Sequence, residues 1–321
     1  MSGHVIVGVD VGGSSIKMAL LSAEGEILHK LEEPTPAGED NAIEKIDQTI
    51  TYILKNANVA KAQVAGVGVG VPGPVQAGTG FVFQVVNLGW KQTPLKEKLE
   101  KLTGLPVYVD NDANVAALGE MWKGAGLGAK DMVMITLGTG VGGGVILGGK
   151  VINGINGVGG EIGHITMTPK TGPLCNCGKT GCLETYASAT AFIRQGTELA
   201  KSGKSPQLAA VLAEKGKLRA KDLFDAAHAG DREAIAVIDE AALYLGLAFS
   251  HLANILDISK IVVGGGVSAA GEFLFSRIRK EFANYIVFPF LADTCEILQA
   301  TLGNDAGVIG AGWLVHDQMK G

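Results

Sequence analysis

The same local pattern opens each half of the chain. Residues 4–11 form a near-continuous apolar run, turn at Gly12-Gly13-Ser14-Ser15 and return through Ile16–Leu21, and Ala23–Glu26 turns again into a further short strand. At 131–152 the order recurs. An apolar run over Met132–Leu137 meets Gly138-Thr139-Gly140, a second run reaches Leu147, and Gly148-Gly149-Lys150 leads into a third. Short apolar runs bounded by glycine read as buried strands. The residues of the two copies differ, so the repeat is one of architecture rather than a short-period array. Two such openings in 321 residues predict two domains, as chain length alone favours.

The segments between them alternate strand and helix. Ile43, Ile46, Ile50 and Ile53 lie at helical spacing after Asp40. A strand is expected at Val64–Val71, ending in Pro72-Gly73-Pro74. Thr93-Pro94 predicts a helix start, with the hydroxyl as cap, that Gly104 closes. Leu105–Asp110 reads as a strand, and Asp112 opens a helix to about Lys123. Asp231 is placed to cap a long amphipathic helix ending near Leu256. Lys260–Val263 is a strand running into Gly264-Gly265-Gly266, and a last strand near 296–301 precedes a closing helix. The alternation predicts an α/β fold with mixed sheets. The expected division is a small domain, 1–115 plus 302–321, and a large one, 116–301, joined by crossing segments near 115 and 302.

Composition narrows the function. Hydrophobic residues make up 47% and charged residues 18%, which describes a packed globular chain. The net charge is −5, with no basic block suited to nucleic acid or anionic lipid. Segment 1–20 lacks a cationic head and Asp10 interrupts its apolar run, so no signal peptide is expected. The apolar stretch 132–152 is two strands and a turn, and no segment is expected to span a membrane. Glycine is the anomaly, at 47 residues about twice ordinary usage. Its clustering after apolar runs suggests backbone brought close to ligands.

Three glycine clusters stand at strand ends: 12–13, 138–144 and 264–266. Bare backbone N–H groups in such turns reach phosphate oxygens, although a tight hairpin capped by Asp10 explains the first equally well. They resemble a nucleotide clamped between two domains. None fits the dinucleotide fingerprint, whose glycines open a helix and precede an acidic residue. Gly178-Lys179-Thr180 suggests a P-loop, but Pro173 occupies the position of its first glycine. In Asp110-Asn111-Asp112-Ala113-Asn114, one residue can be a simple helix cap. Four polar residues in five exceed that need. A carboxylate here could accept a hydroxyl proton during phosphoryl transfer while an amide holds a neighbouring hydroxyl.

Residues 161–184 carry a second kind of chemistry. His164, Cys175, Cys177 and Cys182 supply four ligands in the pattern His-x10-Cys-x-Cys-x4-Cys, with Gly178 and Gly181 permitting the tight bend. Clustered thiols in a reducing cytoplasm read as a zinc site rather than disulfides. Four protein ligands close the site, so the zinc is structural. Glu161 and Glu184 flank the outermost ligands, and the metal is expected to fix these carboxylates toward a polar ligand. Cys295 is read as a small buried hydrophobe.

Taken together, the motifs resemble the ROK family (repressors and sugar kinases) within the two-domain actin-like ATPase, ribonuclease H-like, fold. The resemblance covers nearly the whole chain. It rests on Asp10-x-Gly12-Gly13-Ser14, Leu137–Gly144, Gly160-Glu161-Ile162-Gly163-His164, Cys175–Glu184 and Leu302–Ala306, and is closest to the bacterial glucokinases of the family through Asn87–Trp90 and Ala117–Gly126. It implies ATP-dependent phosphorylation of the 6-hydroxyl of glucose, with Mg²⁺, a structural Zn²⁺ and a homodimer. By motif position Asp112 is the catalytic base. Gly73, Asn87, Asn111, Asp112, Glu161, His164 and Glu184 line the sugar. Asp10 serves magnesium, and Gly12, Gly13, Ser14, Lys17, Gly138, Thr139 and Gly140 serve ATP, with Gly265 and Gly266 against the nucleoside. Ser14-Ser15 replaces the more usual threonine, and Asp110 the commoner glutamate. A kinase for fructose, mannose or an N-acetylated hexosamine is the main alternative. A sugar-sensing regulator is less suited, because the first strand begins near residue 4, leaving no room for a helix-turn-helix.

Overall fold

The computed structural model describes residues 4–320. In chain order the strands and helices of the first stretch are β1 (Val5–Val11), β2 (Ser15–Ser22), β3 (Ile27–Pro34), α1 (Glu39–Asn56), β4 (Val64–Val71), β5 (Val75–Gln76), β6 (Phe81–Val85), β7 (Trp90–Pro94), α2 (Leu95–Thr103), β8 (Val107–Asn111) and α3 (Asp112–Lys123). Then come β9 (Met132–Leu137), β10 (Val141–Leu147) and β11 (Lys150–Val151), followed by α4 (Glu184–Ala187), α5 (Ala189–Lys201), α6 (Pro206–Lys215), α7 (Ala220–His228) and α8 (Arg232–Leu256). The chain closes with β12 (Lys260–Gly264), α9 (Glu272–Tyr285), α10 (Leu291–Thr294), β13 (Glu296–Gln299) and α11 (Ala306–Lys320).

The doubled opening becomes a doubled sheet. One five-stranded sheet has the order β3-β2-β1-β4-β8 and the other β11-β10-β9-β12-β13, so each places its third, second, first, fourth and fifth strands side by side. In the first, β1 pairs antiparallel with β2 and parallel with β4, and β4 pairs parallel with β8. These are the mixed sheets expected of an α/β chain.

Contacts divide the chain into two compact units. The first comprises Met1–Met134, Gly144–Gly160 and Thr301–Gly321; the second comprises Ile135–Gly143 and Glu161–Ala300. All of α3 stays with the first unit. In that unit, strand alternation fixes two cores. Val7, Val9 and Val11 of β1 and Ile16, Met18 and Leu20 of β2 face α1, whose Ile43, Ile46, Ile50 and Ile53 are buried against them. Ile6, Ala19 and Leu21 face the other way, against Val308, Ile309 and Val315 of α11.

Other glycines of the first unit, outside the clusters at strand ends, serve packing. A Cβ on Gly8 of β1 would stand 2.0 Å from the Val308 carbonyl oxygen, and one on Gly68 of β4 1.7 Å from that of Ala311. Between helices, a Cβ on Gly119 would meet the Ala306 carbonyl oxygen at 2.2 Å, and one on Gly310 that of Val115 at 1.5 Å. These glycines let α11 lie directly on the strands and on α3. One difference from expectation concerns Thr93. Its hydroxyl donates to Glu39 Oε2 at 2.6 Å instead of capping α2, whose flanking residue is Pro94. A second is the antiparallel sheet β5-β6-β7, which the sequence does not announce.

In the second unit, α5 to α9 form the helical body. Asp231 caps α8 by accepting from the N–H groups of Glu233 and Ala234. The apolar length of α8 is explained by burial of Ile238, Ala241, Leu245 and Phe249. It packs on α9 at Gly246, where a Cβ would stand 2.7 Å from the Phe282 backbone nitrogen.

Candidate active site and metal centre

In the first unit, polar groups converge where β8 passes into α3. Asn111 is the cap, its Oδ1 accepting from the N–H groups of Ala113 at 2.9 Å and Asn114 at 3.3 Å. Its amide donates to the Gly73 carbonyl at 3.1 Å, bringing two expected sugar residues together. Gly73 has φ 98°, and a Cβ there would lie 2.1 Å from the Gln84 carbonyl oxygen, so only glycine fits. Asp112 is the first helical residue, and its Oδ1 accepts from the Ala113 N–H at 2.8 Å.

Asp110, one residue before the cap, is buried. It accepts from the Asn111 N–H at 2.7 Å, Asn114 Nδ2 at 2.8 Å and Asn153 Nδ2 at 2.9 Å. Burial pushes its carboxyl above the ordinary range, while the bonds from Asn114, Asn153 and the backbone oppose that rise. Asn153 was not expected: it stands alone after β11 with no motif around it.

The expected nucleotide side of this unit gathers at the β1–β2 turn. Asp10 pairs across the strands with Lys17. Burial raises its carboxyl and the Lys17 charge opposes this. Gly307 gives it room, since a Cβ there would lie 2.6 Å from Asp10 Oδ2. The Gly12 N–H donates to the Ser15 carbonyl at 2.8 Å. Thr35, missed in the sequence, holds the turn from outside, its hydroxyl donating to the Gly12 carbonyl at 2.7 Å and its N–H to that of Ser14 at 3.1 Å. The Cβ position of Gly13 lies 3.7 Å from Asn87 Cβ, so an expected phosphate residue and an expected sugar residue are neighbours.

The second unit carries the other glycine turn. The Gly138 N–H closes it by donating to the Gly140 carbonyl at 3.0 Å. The carbonyls of Gly138 and Thr139 accept from the Ala189 N–H at 2.8 Å and the Thr190 hydroxyl at 2.7 Å, both at the start of α5. Glu184 lies against the same turn: its Oε2 accepts from the Val141 N–H at 3.1 Å, and a Cβ on Gly140 would lie 2.1 Å from that oxygen. Gly265, at φ 84°, approaches Leu137, whose carbonyl oxygen would stand 2.4 Å from a Cβ; beside Gly266 the space is open.

His164, Cys175, Cys177 and Cys182 come together, with one ligand atom of each within 4.8 Å of the others. Cys175 Sγ is 3.6 Å from His164 Nδ1, and Cys177 Sγ is 3.7 Å from Cys182 Sγ. Metal–sulfur bonds of about 2.3 Å at tetrahedral angles place neighbouring donors roughly 3.6–3.8 Å apart, so the set fits a zinc-sized ion. Without a metal, burial pushes the Cys175 thiol up to about 12 and raises that of Cys182, while the Lys179 backbone N–H pulls Cys177 down. A bound dication would offset those costs by stabilising the thiolates. The other ring nitrogen of His164, Nε2, stands 3.9 Å from Glu161 Oε2, and Glu184 Oε1 lies 3.6 Å from Cys175 Sγ. Both expected carboxylates therefore border the donor cluster.

The chain's resemblances agree with this arrangement. Residues 6–318 match the model of the ROK family. A glucokinase of Halalkalibacterium halodurans is 53% identical over 99% of this chain and 97% of its own. A putative xylose repressor of a Caldicellulosiruptor species is 32% identical over 86% of this chain and 69% of its own. Among solved structures, a ROK family glucokinase from Streptomyces griseus, in complex with glucose and AMPPNP, has a TM-score of 0.79 at 37% identity over 97% of this chain and 98% of that one. On the full-length match, the doubled sheet and the Cys/His centre, the chain belongs to the ROK family.

Proposed function

We propose that this chain is a glucokinase that transfers the γ-phosphoryl group of ATP to the 6-hydroxyl of glucose. The observation that carries the reading is the β8–α3 corner. Asn111 serves as cap and as partner of Gly73, while Asp112 is held at the helix start by the Ala113 N–H. A carboxylate so fixed accepts the proton of an attacking hydroxyl, a role worth about 10²–10⁴ in rate. The 53% identity to a full-length glucokinase supports the choice of sugar.

The remaining roles follow from chemistry. Asn111, Gly73 and Asn87 in one unit, and Glu161, His164 and Glu184 in the other, offer the amide, carbonyl and carboxylate partners that sugar hydroxyls require. In the turns at Gly12, Gly13, Ser14 and at Gly138, Thr139, Gly140, where the Gly12 and Gly138 N–H groups close the turn, the other backbone N–H groups would serve phosphate oxygens, with Lys17 adding charge and Gly265-Gly266 against the nucleoside. Asp10 would hold Mg²⁺, which supplies neutralising charge at the phosphates when bound; one or two carboxylates suffice for that ion. His164, Cys175, Cys177 and Cys182 would hold a structural Zn²⁺, and a cytoplasmic setting keeps the three thiols reduced. A homodimer is the expected assembly on the frequency of two-fold symmetry.

The test is a panel of hexoses with ATP, read by coupled ADP release from the purified protein. Glucose should give the highest kcat/KM. A higher value for fructose, mannose or an N-acetylated hexosamine would replace the substrate assignment.

A further inference from the structure

Asp110 has more bonds than a buried carboxylate at a strand end needs. Its Oδ1 accepts from the Asn111 N–H, Asn114 Nδ2 and Asn153 Nδ2, and its Oδ2 lies 2.9 Å from the same Asn153 nitrogen. Every partner is a donor, and these bonds oppose the rise that burial imposes on the carboxyl. Two of the donors belong to the β8–α3 corner itself. The third comes from Asn153, 43 residues away in sequence.

Asn153 is the root of a loop. Its carbonyl accepts from the Gly159 N–H at 2.8 Å, which closes residues 153–159 on themselves. Ile155 at the tip is 97% exposed, so the loop tip has no core of its own to hold it. Its other anchorage is Gly157, where a Cβ would stand 2.2 Å from the Val75 carbonyl oxygen. Beyond Gly160 the chain continues directly into Glu161.

We propose that Asp110 and Asn153 are a positioning pair that ties the loop leading to Glu161 to the corner bearing Asn111 and Asp112. The proposal rests on the reading of Asn111 and Glu161 as sugar ligands and of Asp112 as base. Neither member of the pair touches substrate. Asp110 orients the cap residue through its N–H, and through Asn153 it fixes where the following loop begins. The corner and the root of the loop thus share one buried carboxylate. Hydrogen bonds to a buried carboxyl group are costly enough to leave unmade for the pair to control that register.

The test is steady-state kinetics of the full-length protein. Asn153→Ala should raise the glucose KM about tenfold while leaving kcat and the ATP KM within about twofold. A merely structural role would reduce the active fraction, lowering apparent kcat with both KM values unchanged, and that result would overturn the proposal. Asn153→Asp should be worse than Asn153→Ala, because it buries two carboxylates face to face. The exchange variant, Asp110→Asn with Asn153→Asp, restores one amide and one carboxylate and should return the glucose KM toward the parent. Should Asn153→Ala fail to fold, the comparison of Asn153→Asp with the exchange variant decides, and no recovery overturns the pair. Asp112→Asn is measured in parallel. Turnover surviving there would remove the base assignment on which the pair's purpose rests. A dead Asp112→Asn with an unchanged glucose KM in Asn153→Ala would remove the pair alone.

Discussion

Glu184 Oε2 accepts a hydrogen bond from the backbone N–H of Val141 at 3.1 Å. The same carboxylate reaches Cys175 Sγ through its other oxygen at 3.6 Å. One side chain therefore joins the cysteine cluster to the glycine turn expected at the phosphates. Metal removal should then disturb nucleotide as well as sugar. Chelation, or Cys177→Ala, is expected to raise the glucose KM roughly tenfold and the ATP KM by a smaller factor, with zinc restoring the chelated protein. Kinetics before and after dialysis check this, and a metal-free protein with both KM values unchanged would contradict it.

Asp112→Ala should lower kcat by about 10²–10⁴ while leaving glucose affinity within a few-fold. The cap is a different residue, Asn111, whose oxygen accepts from Ala113 and Asn114, so α3 keeps its start when Asp112 is truncated. Titration calorimetry with glucose alone separates the two quantities. Lost binding together with lost turnover would mean that Asp112 serves the sugar rather than the proton.

Much of this was legible in the sequence because the signals were local. Apolar runs and glycine turns gave the doubled sheet, and spacing gave the Cys/His centre, since neighbouring ligands need only a short loop. Long-range partners left no trace. Asn153 and Thr35 meet Asp110 and Gly12 only after folding, and neither sits in a recognisable pattern. The strands β5, β6 and β7 escaped because they are 2, 5 and 5 residues long and partly polar. Gly8, Gly68, Gly119 and Gly310 serve close packing of α11, a need that isolated glycines in a sequence do not announce.

That packing gives a stability prediction. A Cβ on Gly310 would stand 1.5 Å from the Val115 carbonyl oxygen and 2.6 Å from the Gly119 backbone nitrogen, both on α3. Neither neighbour is a flexible side chain, so the helices must separate. Gly310→Ala should destabilise by about 1–3 kcal/mol or more and lower Tm by several degrees. Because α3 begins at Asp112, kcat per folded molecule should fall as well. An unchanged Tm would show that α11 can shift without cost.

His316 supplies the pH dependence of the same helix pair. Its ring lies 4.7 Å from that of Trp122 on α3 and 5.1 Å from Trp313 on α11. Burial there, helped by the charge of Lys320, holds its pKa below the ordinary histidine value; the Ala23 backbone, Asp317 and Glu24 oppose this without reversing it. The unfolded chain therefore takes up the proton first as pH falls. Stability from neutral His316 is fully present above about pH 6.5 and declines as pH drops from there toward the lowered pKa, with a slope of at most about 1.4 kcal/mol per pH unit. Urea unfolding of the parent and of His316→Gln at pH 7.5 and 5.5 isolates the effect. The parent should lose more stability between the two pH values than the variant does. Equal losses would mean that His316 titrates alike in the folded and unfolded chain.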